Sequence, residues 1–111
     1  MTPKQFQKFL DRDKMCWHCG AAENLIPHHR VNRGMGGSKA RHEPSNIVAM
    51  CFLINGLMES DPIMAQMARE FGWKLESWQK PTEIPVYNAY LGKWFKINEY
   101  ERVELEDRFA V

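Results

Sequence analysis

The sequence predicts an α+β fold, built as one domain over residues 1–111, and three observations carry this prediction. Apolar residues recur at helical spacing near the N-terminus, within residues 3–13. Two short apolar stretches, 25–31 and 47–50, have the length of strands and are predicted to pair. A third stretch, about 84–98, carries aromatic residues on both sides of a glycine, which is typical of a β-hairpin.

The predicted helices have recognisable ends. Thr2 suits the N-cap of the first helix and Pro3 its first helical position. Asp61 and Pro62 repeat this arrangement before a later helix, and Gly72 is expected to end that helix. A further helix is therefore expected between the second strand and Asp61.

Several large apolar side chains are predicted to form the core. Ile63, Met67 and Phe71 are spaced at i, i+4 and i+8, so they should form one buried stripe on their helix. Trp17 and Trp73 are also predicted to be core residues rather than platforms for stacking bases.

Charge is distributed unevenly along the chain, although its net value is only +1. Composition alone therefore does not predict a strongly basic nucleic-acid binder. The segment 28–42 contains no acidic residue and four basic ones, which are Arg30, Arg33, Lys39 and Arg41. A local basic surface attracts phosphate, whereas the acidic residues from Glu99 onward would repel DNA. A solvated loop with incidental charge explains the same composition equally well.

The chain has no apolar run near the roughly 20 residues that span a bilayer. Residues 1–5 also lack the apolar region of a signal peptide. These features predict a cytoplasmic protein without membrane contact.

Three cysteines cannot all pair within one chain. Cys16 and Cys19 have the spacing of a metal-binding knuckle, which in a cytosolic protein is favoured over a disulfide, and Cys51 is left over.

The adjacent histidines His28 and His29 are the strongest functional signal. Side chains alternate along an extended segment, so the two imidazoles should face opposite sides. One can then bind a metal ion while its neighbour acts as a base, which indicates a small hydrolytic centre and suggests a nuclease.

Over residues 16–75 these signals occur in a familiar order. The motifs are Cys16-x-x-Cys19-Gly20, His28-His29-Arg30, Arg33-Gly34-Met35-Gly36-Gly37-Ser38, Pro44-Ser45-Asn46-Ile47, Met50-Cys51 and Gly56–Glu59. In this order and spacing the chain resembles the HNH endonucleases, whose core is a ββα-metal fold. Arg69–Leu75 also resembles the short segment that follows this core in phage-borne members. No single motif is specific, but their combination is.

The resemblance implies a role for each matching residue. His28 would bind the metal ion, His29 would be the general base, and Asn46 would hold the strand and loop that aim this base. An imidazole titrates near neutrality, which suits a base. The basic residues that would contact DNA phosphates are Arg30, Arg33, Lys39 and Arg41.

The chain departs from the family pattern at two positions. Asn55 stands where the family has its final histidine, which makes the set an HNN variant. Its amide oxygen would suit Mg²⁺ or Mn²⁺, and the alternative is a weakened site. Ile54 stands where the fourth zinc-binding cysteine is expected. Structural zinc at Cys16, Cys19 and Cys51 would then need another ligand, for which His42 is a candidate, or the zinc site is lost and Cys51 packs as a small apolar residue.

We therefore expect a metal-dependent endonuclease that cleaves DNA with one divalent cation. The alternatives are a non-catalytic DNA- or protein-binding module on the same scaffold and a module that binds only structural zinc. DNA is the expected partner, a phage or host protein is a further one, and the host cytoplasm is the expected location of a phage-encoded chain. The sequence leaves open the DNA specificity, the choice between a nick and a double-strand break, and the oligomeric state.

Overall fold

The computed structural model describes residues 2–31 and 43–106, and it shows the predicted α+β class. In chain order the elements are α1 (Pro3–Asp13), β1 (Leu25–His29), a 3-10 turn (Pro44–Asn46), β2 (Ile47–Cys51), α2 (Phe52–Ser60), α3 (Pro62–Glu70), β3 (Val86–Asn88), β4 (Lys93–Asn98) and β5 (Glu101–Glu104). Within the described residues, none of these helices has the length and apolarity needed to traverse a lipid bilayer.

Helix α1 begins as predicted. The Thr2 side chain accepts a hydrogen bond from the backbone N–H of Gln5, and the Gln5 side chain accepts one from the N–H of Thr2. This reciprocal capping box satisfies two amide donors that a helix start otherwise leaves unpaired.

The end of α1 is attached to the rest of the molecule by a buried ion pair. Arg12 Nε lies 2.6 Å from Asp13 Oδ1, and both side chains are fully buried. Asp13 accepts a hydrogen bond from the N–H of Ala49, while Arg12 donates to the carbonyls of Pro44 and Glu99. Because the partners come from distant segments, this pair fixes α1 against both β2 and the C-terminal region.

Strands β1 and β2 pair in the predicted antiparallel sense. His28 lies opposite Val48 and His29 opposite Ile47. Every residue of β2 is buried, and α2 follows it directly at Cys51. The order β1, β2, α2 therefore forms a ββα unit, and α2 packs against both strands.

Helix α3 begins at the predicted Asp61 cap, but the predicted core stripe is wrong at Ile63. That side chain is 75% exposed, whereas Ala68 is fully buried. Positions five residues apart on a helix are separated by about 140° around its axis, so Ile63 points away from the face that Ala68 buries. The face that packs on the core runs through Met64, Ala68 and Phe71, which are spaced at i, i+4 and i+7.

The C-terminal hairpin is confirmed as β3 paired with β4, and the sheet has one strand more than predicted. Strand β5 pairs antiparallel with β4 and forms an edge. The sheet packs on the core through Phe95. Its ring lies edge-on to the Trp17 ring, with 5.6 Å between the two ring centroids. Trp17 and Trp73 are both fully buried, as predicted.

Candidate active site

The ββα unit brings His28 and Asn55 together. His28 Nδ1 lies 3.1 Å from Asn55 Oδ1, and its other ring nitrogen, Nε2, lies 2.8 Å from the carbonyl oxygen of Trp73. His28 comes from β1, Asn55 from the first half of α2, and Trp73 from the turn after α3. Three separate elements therefore position one imidazole.

The Trp73 carbonyl decides the tautomer of His28. A carbonyl oxygen only accepts, so Nε2 must carry the hydrogen and donate it. In the neutral ring, Nδ1 then has a free electron pair, and this pair faces the amide oxygen of Asn55. Two acceptors at this separation repel each other, so either a cation lies between them or the Asn55 amide presents its nitrogen to His28 as a donor.

The separation of these two atoms fits two ligands of one divalent cation. Two ligand atoms at right angles on an octahedral Mg²⁺ lie about 3 Å apart, given metal–ligand distances of about 2.1 Å. The observed separation of 3.1 Å between Nδ1 and Oδ1 matches this value. A histidine that binds metal usually donates its other N–H to a carbonyl or carboxylate, as His28 does to Trp73.

Burial favours the neutral form of His28. The side chain is 7% exposed, and burial lowers the pKa of His28 below its ordinary 6.5. The contacts of its ring with the Trp73 carbonyl and the Asn55 amide, and the nearby Glu59 carboxylate, act in the opposite direction. A neutral imidazole is the form that can ligate a metal ion. Glu59 lies one turn beyond Asn55, with Lys74 Nζ at 3.9 Å from its carboxylate.

Asn46 holds the segment that follows His29. The Asn46 side chain is fully buried, its oxygen accepts from the N–H of Val31 at 2.8 Å, and its nitrogen donates to the Val31 carbonyl at 3.3 Å. The backbone N–H of Arg30 also donates to the Asn46 carbonyl at 2.7 Å. His29 is half-buried at the end of β1, directly before the segment that these hydrogen bonds hold. The catalytic roles of His29 and Asn46 stay predictions.

The predicted phosphate contact of Arg30 is wrong. Its side chain is fully buried and donates to four backbone carbonyls, those of Gly72, Ser45, Pro81 and Ile84. Burial lowers the pKa of Arg30 to about 9, helped by repulsion from Arg12, so the guanidinium is still charged at neutral pH. Arg30 therefore joins the ββα unit to the segment after α3 and has no surface to offer DNA.

The other three predicted phosphate contacts, Arg33, Lys39 and Arg41, lie outside the described residues, and so does the candidate ligand His42. A surface groove of about 720 Å³ lies beside Lys96, Ile97 and Glu99 on the C-terminal sheet. None of the predicted site residues lines it.

The three cysteines lie together. Their sulfur atoms are all within 4.8 Å of one another, and Cys19 Sγ is 3.8 Å from Cys51 Sγ. Gly20 closes the turn after Cys19 with a positive φ of 76°, and the Tyr90 ring packs so closely that a Cβ there would lie 2.5 Å from it. Cys16 and Cys51 are buried and Cys19 is exposed.

The thiols of this cluster differ in acidity. Burial raises the pKa of Cys16 to about 11. Partial burial acts in the same direction on Cys19, but hydrogen bonds from the N–H of Ala21 and from the neighbouring thiols outweigh it and lower the pKa of Cys19. A thiophilic cation binds thiolates, so its binding would release protons from this cluster.

Sequence reasoning missed the contributions of Trp73 and Arg30. Trp73 acts through a backbone carbonyl, which carries no residue signature, and its indole N–H donates to the Tyr87 carbonyl at 2.8 Å. The basic character of Arg30 suggested a surface role, and its partners lie up to 54 residues away in sequence.

Comparison of this chain with protein-family models, curated proteins and solved structures finds no match. The resemblance to HNH endonucleases therefore rests on the motifs of the sequence and stays a prediction.

Proposed function

We propose that this protein is a metal-dependent endonuclease that hydrolyses phosphodiester bonds in DNA. One observation carries the proposal. His28 Nδ1 and Asn55 Oδ1 face each other at 3.1 Å, while Nε2 is committed to the Trp73 carbonyl. This arrangement is unfavourable for two neutral acceptors and favourable for two ligands of one cation.

In this proposal His28 and Asn55 hold one Mg²⁺ or Mn²⁺, and water and phosphate complete its coordination. When bound, such a cation stabilises the charge that develops on the phosphate and on the leaving oxygen. His29 takes the proton from a water molecule, whose oxygen attacks phosphorus. The bond from phosphorus to the 3′ oxygen breaks, that oxygen takes a proton from solvent, and the products carry 3′-hydroxyl and 5′-phosphate ends.

The remaining residues have supporting roles. Asn46 holds the Val31 backbone and thereby the segment after His29. Arg33, Lys39 and Arg41 are the proposed phosphate contacts, because they are the other basic residues of segment 28–42.

Supercoiled plasmid tests the base. We expect cleavage by the wild-type protein with Mg²⁺ or Mn²⁺, none with EDTA, and a loss of about 10²-fold or more in His29→Ala. Undiminished cleavage by His29→Ala would remove the base from the proposal. DNA binding without cleavage under any metal would favour the non-catalytic module instead.

Mn²⁺ binding, measured by electron paramagnetic resonance, tests the ligands. Asn55→Asp replaces a neutral oxygen ligand with a carboxylate and should bind Mn²⁺ more tightly, whereas Asn55→Leu should bind it at least about tenfold more weakly. If the wild type and Asn55→Leu bind Mn²⁺ with equal affinity, or if neither binds it, the metal assignment is wrong. Gln66→Leu, at an exposed position on α3, is the matched control and should bind Mn²⁺ as the wild type does.

The cysteine cluster adds a second metal site to the proposal. Three sulfur ligands from the knuckle and from the start of α2 suit a thiophilic cation such as Zn²⁺. Bound there, it would join the knuckle to the helix that carries Asn55.

A further inference from the structure

The cysteine cluster supplies three ligands of the kind that zinc binds, and backbone amides donate to two of its sulfur atoms. The N–H of His18 donates to Cys16 Sγ at 3.4 Å, and the N–H of Ile54 donates to Cys51 Sγ at 3.5 Å. Hydrogen bonds from backbone amides stabilise negative charge on sulfur and orient it. The 3.8 Å between Cys19 Sγ and Cys51 Sγ equals the edge of a tetrahedron of sulfur atoms about 2.3 Å from a central ion.

The described residues offer no fourth ligand. Among residues 2–31 and 43–106, no histidine or carboxylate joins the three sulfur atoms in one group. The Met50 thioether lies 3.9 Å from Cys16 Sγ, but a thioether is not among the ligands that zinc takes in proteins. The spacing from Cys51 to Ile54 repeats that from Cys16 to Cys19, so Ile54 occupies the matching place in a second knuckle. Its hydrocarbon side chain cannot bind a metal ion.

Solvent has access to the cluster. Cys19 is exposed, and Cys51 borders a surface groove of about 530 Å³ that also contacts Ala21 and Phe52. A water molecule or a small thiol can therefore approach an ion held by the three sulfur atoms.

We propose that Cys16, Cys19 and Cys51 bind one thiophilic divalent cation whose fourth position is open to an exogenous ligand, water or a small thiol. The site is then an exchangeable metal centre and not a closed structural one. This inference rests on the metal-binding part of the proposed function and is independent of DNA cleavage.

Co²⁺ binding to the full chain tests this proposal, because thiolate-to-cobalt absorption reports only an ion bound to sulfur. We expect one such Co²⁺ per chain, with visible bands that change saturably when 2-mercaptoethanol is added. Ile54→Cys should close the site. The absorption bands of Ile54→Cys should not change when thiol is added. A chelator should remove Co²⁺ from Ile54→Cys at least about tenfold more slowly than from the wild type. Ile54→Val is the matched control and should behave as the wild type does.

Three outcomes would overturn the proposal. The first is an absence of thiolate-to-cobalt absorption in the wild type. The second is a wild-type spectrum that does not change when thiol is added. The third is a Co²⁺ spectrum of His42→Ala that differs from that of the wild type, which would identify His42 as the fourth ligand. The wild-type titration and His42→Ala decide the question even if Ile54→Cys does not fold. All of these signals come from the sulfur-bound ion, so they stay readable if the protein cleaves no DNA.

Discussion

Burial and one carbonyl together define the protonation state and the tautomer of His28. Burial disfavours the imidazolium, and the Trp73 carbonyl fixes the hydrogen on Nε2, so Nδ1 presents its electron pair to Asn55. The motif placed His28 and Asn55 in one site through a family resemblance. It did not predict the tautomer, because the acceptor is a main-chain oxygen 45 residues away.

We expect the metal-free protein to lose stability as the pH falls below 6.5. The folded-state pKa of His28 is lowered from 6.5, so the unfolded chain takes up a proton first. The stabilisation is complete above pH 6.5 and is lost as the pH falls through 6.5 towards the lower folded-state pKa. Urea unfolding in EDTA at a series of pH values measures this.

His28→Gln should flatten this pH dependence. His18→Gln is needed as a companion, because burial lowers the pKa of His18 in the same direction. Equal slopes for the wild type and His28→Gln would show that His28 does not titrate as described.

Arg30→Ala should reduce the stability of the protein. The substitution leaves four buried carbonyls without their donor, and we expect a loss of about 3 kcal/mol or more in the free energy of unfolding. Arg69→Ala, at an exposed position on α3, should change it by less than about 0.5 kcal/mol. If the Arg30→Ala protein were as stable as the wild type, the buried role of Arg30 would be wrong. Arg30 would then again be a candidate for phosphate contact.

At the scale of elements, the sequence predicted what local pattern controls. The Thr2 and Asp61 caps and the pairing of β1 with β2 were predicted from residue types that act locally. Strand β5 was missed because Glu101 and Glu104 are charged and exposed, and an edge strand needs no apolar alternation. Ile63 was wrongly predicted to be buried because α3 offers two apolar stripes, one through Ile63 and one through Met64. Only the packing of the helix decides which stripe is buried.

Two glycines should respond in opposite ways to replacement by alanine. Gly56 lies inside α2, and no neighbouring side chain or segment comes within 4 Å of the place that a Cβ would occupy, so Gly56→Ala should stabilise the protein by about 0.5–1 kcal/mol. Gly72 has a φ of 75°, and a Cβ there would lie 2.2 Å from the Pro85 carbonyl oxygen. Gly72→Ala should therefore destabilise it by about 1–3 kcal/mol.

Thermal or urea unfolding of both glycine variants checks this pair. Because Gly72 precedes Trp73, Gly72→Ala should also weaken Mn²⁺ binding at His28. If the two variants shifted stability in the same direction, the described backbone at one of them would be wrong.

At the scale of the whole molecule, the C-terminal sheet is part of the support for the site. Trp73 donates to the Tyr87 carbonyl, and Arg30 donates to the Ile84 carbonyl. The sequence predicted only a hairpin at about residues 84–98 for this region. It could not predict this dependence, since the contacts are made by backbone carbonyls and by an arginine whose burial is set by tertiary structure.

Truncation after Thr82 should therefore abolish the fold and not simply remove an appendage. We expect the truncated chain to lose the near-ultraviolet circular dichroism of its buried tryptophans and to unfold without a cooperative transition. Trp73→Phe, which removes only the indole N–H and part of the ring, is a milder companion that should stay folded. A truncated chain with native circular dichroism would mean that the core is independent of the sheet.

The buried pair at the end of α1 also constrains when the chain can fold. Arg12 is synthesised before one of its acceptors, the carbonyl of Glu99, which lies 87 residues later in the chain. Until that carbonyl has been synthesised, the guanidinium lacks one of its final partners. Docking of α1 should therefore be completed only after the chain has been synthesised through Glu99.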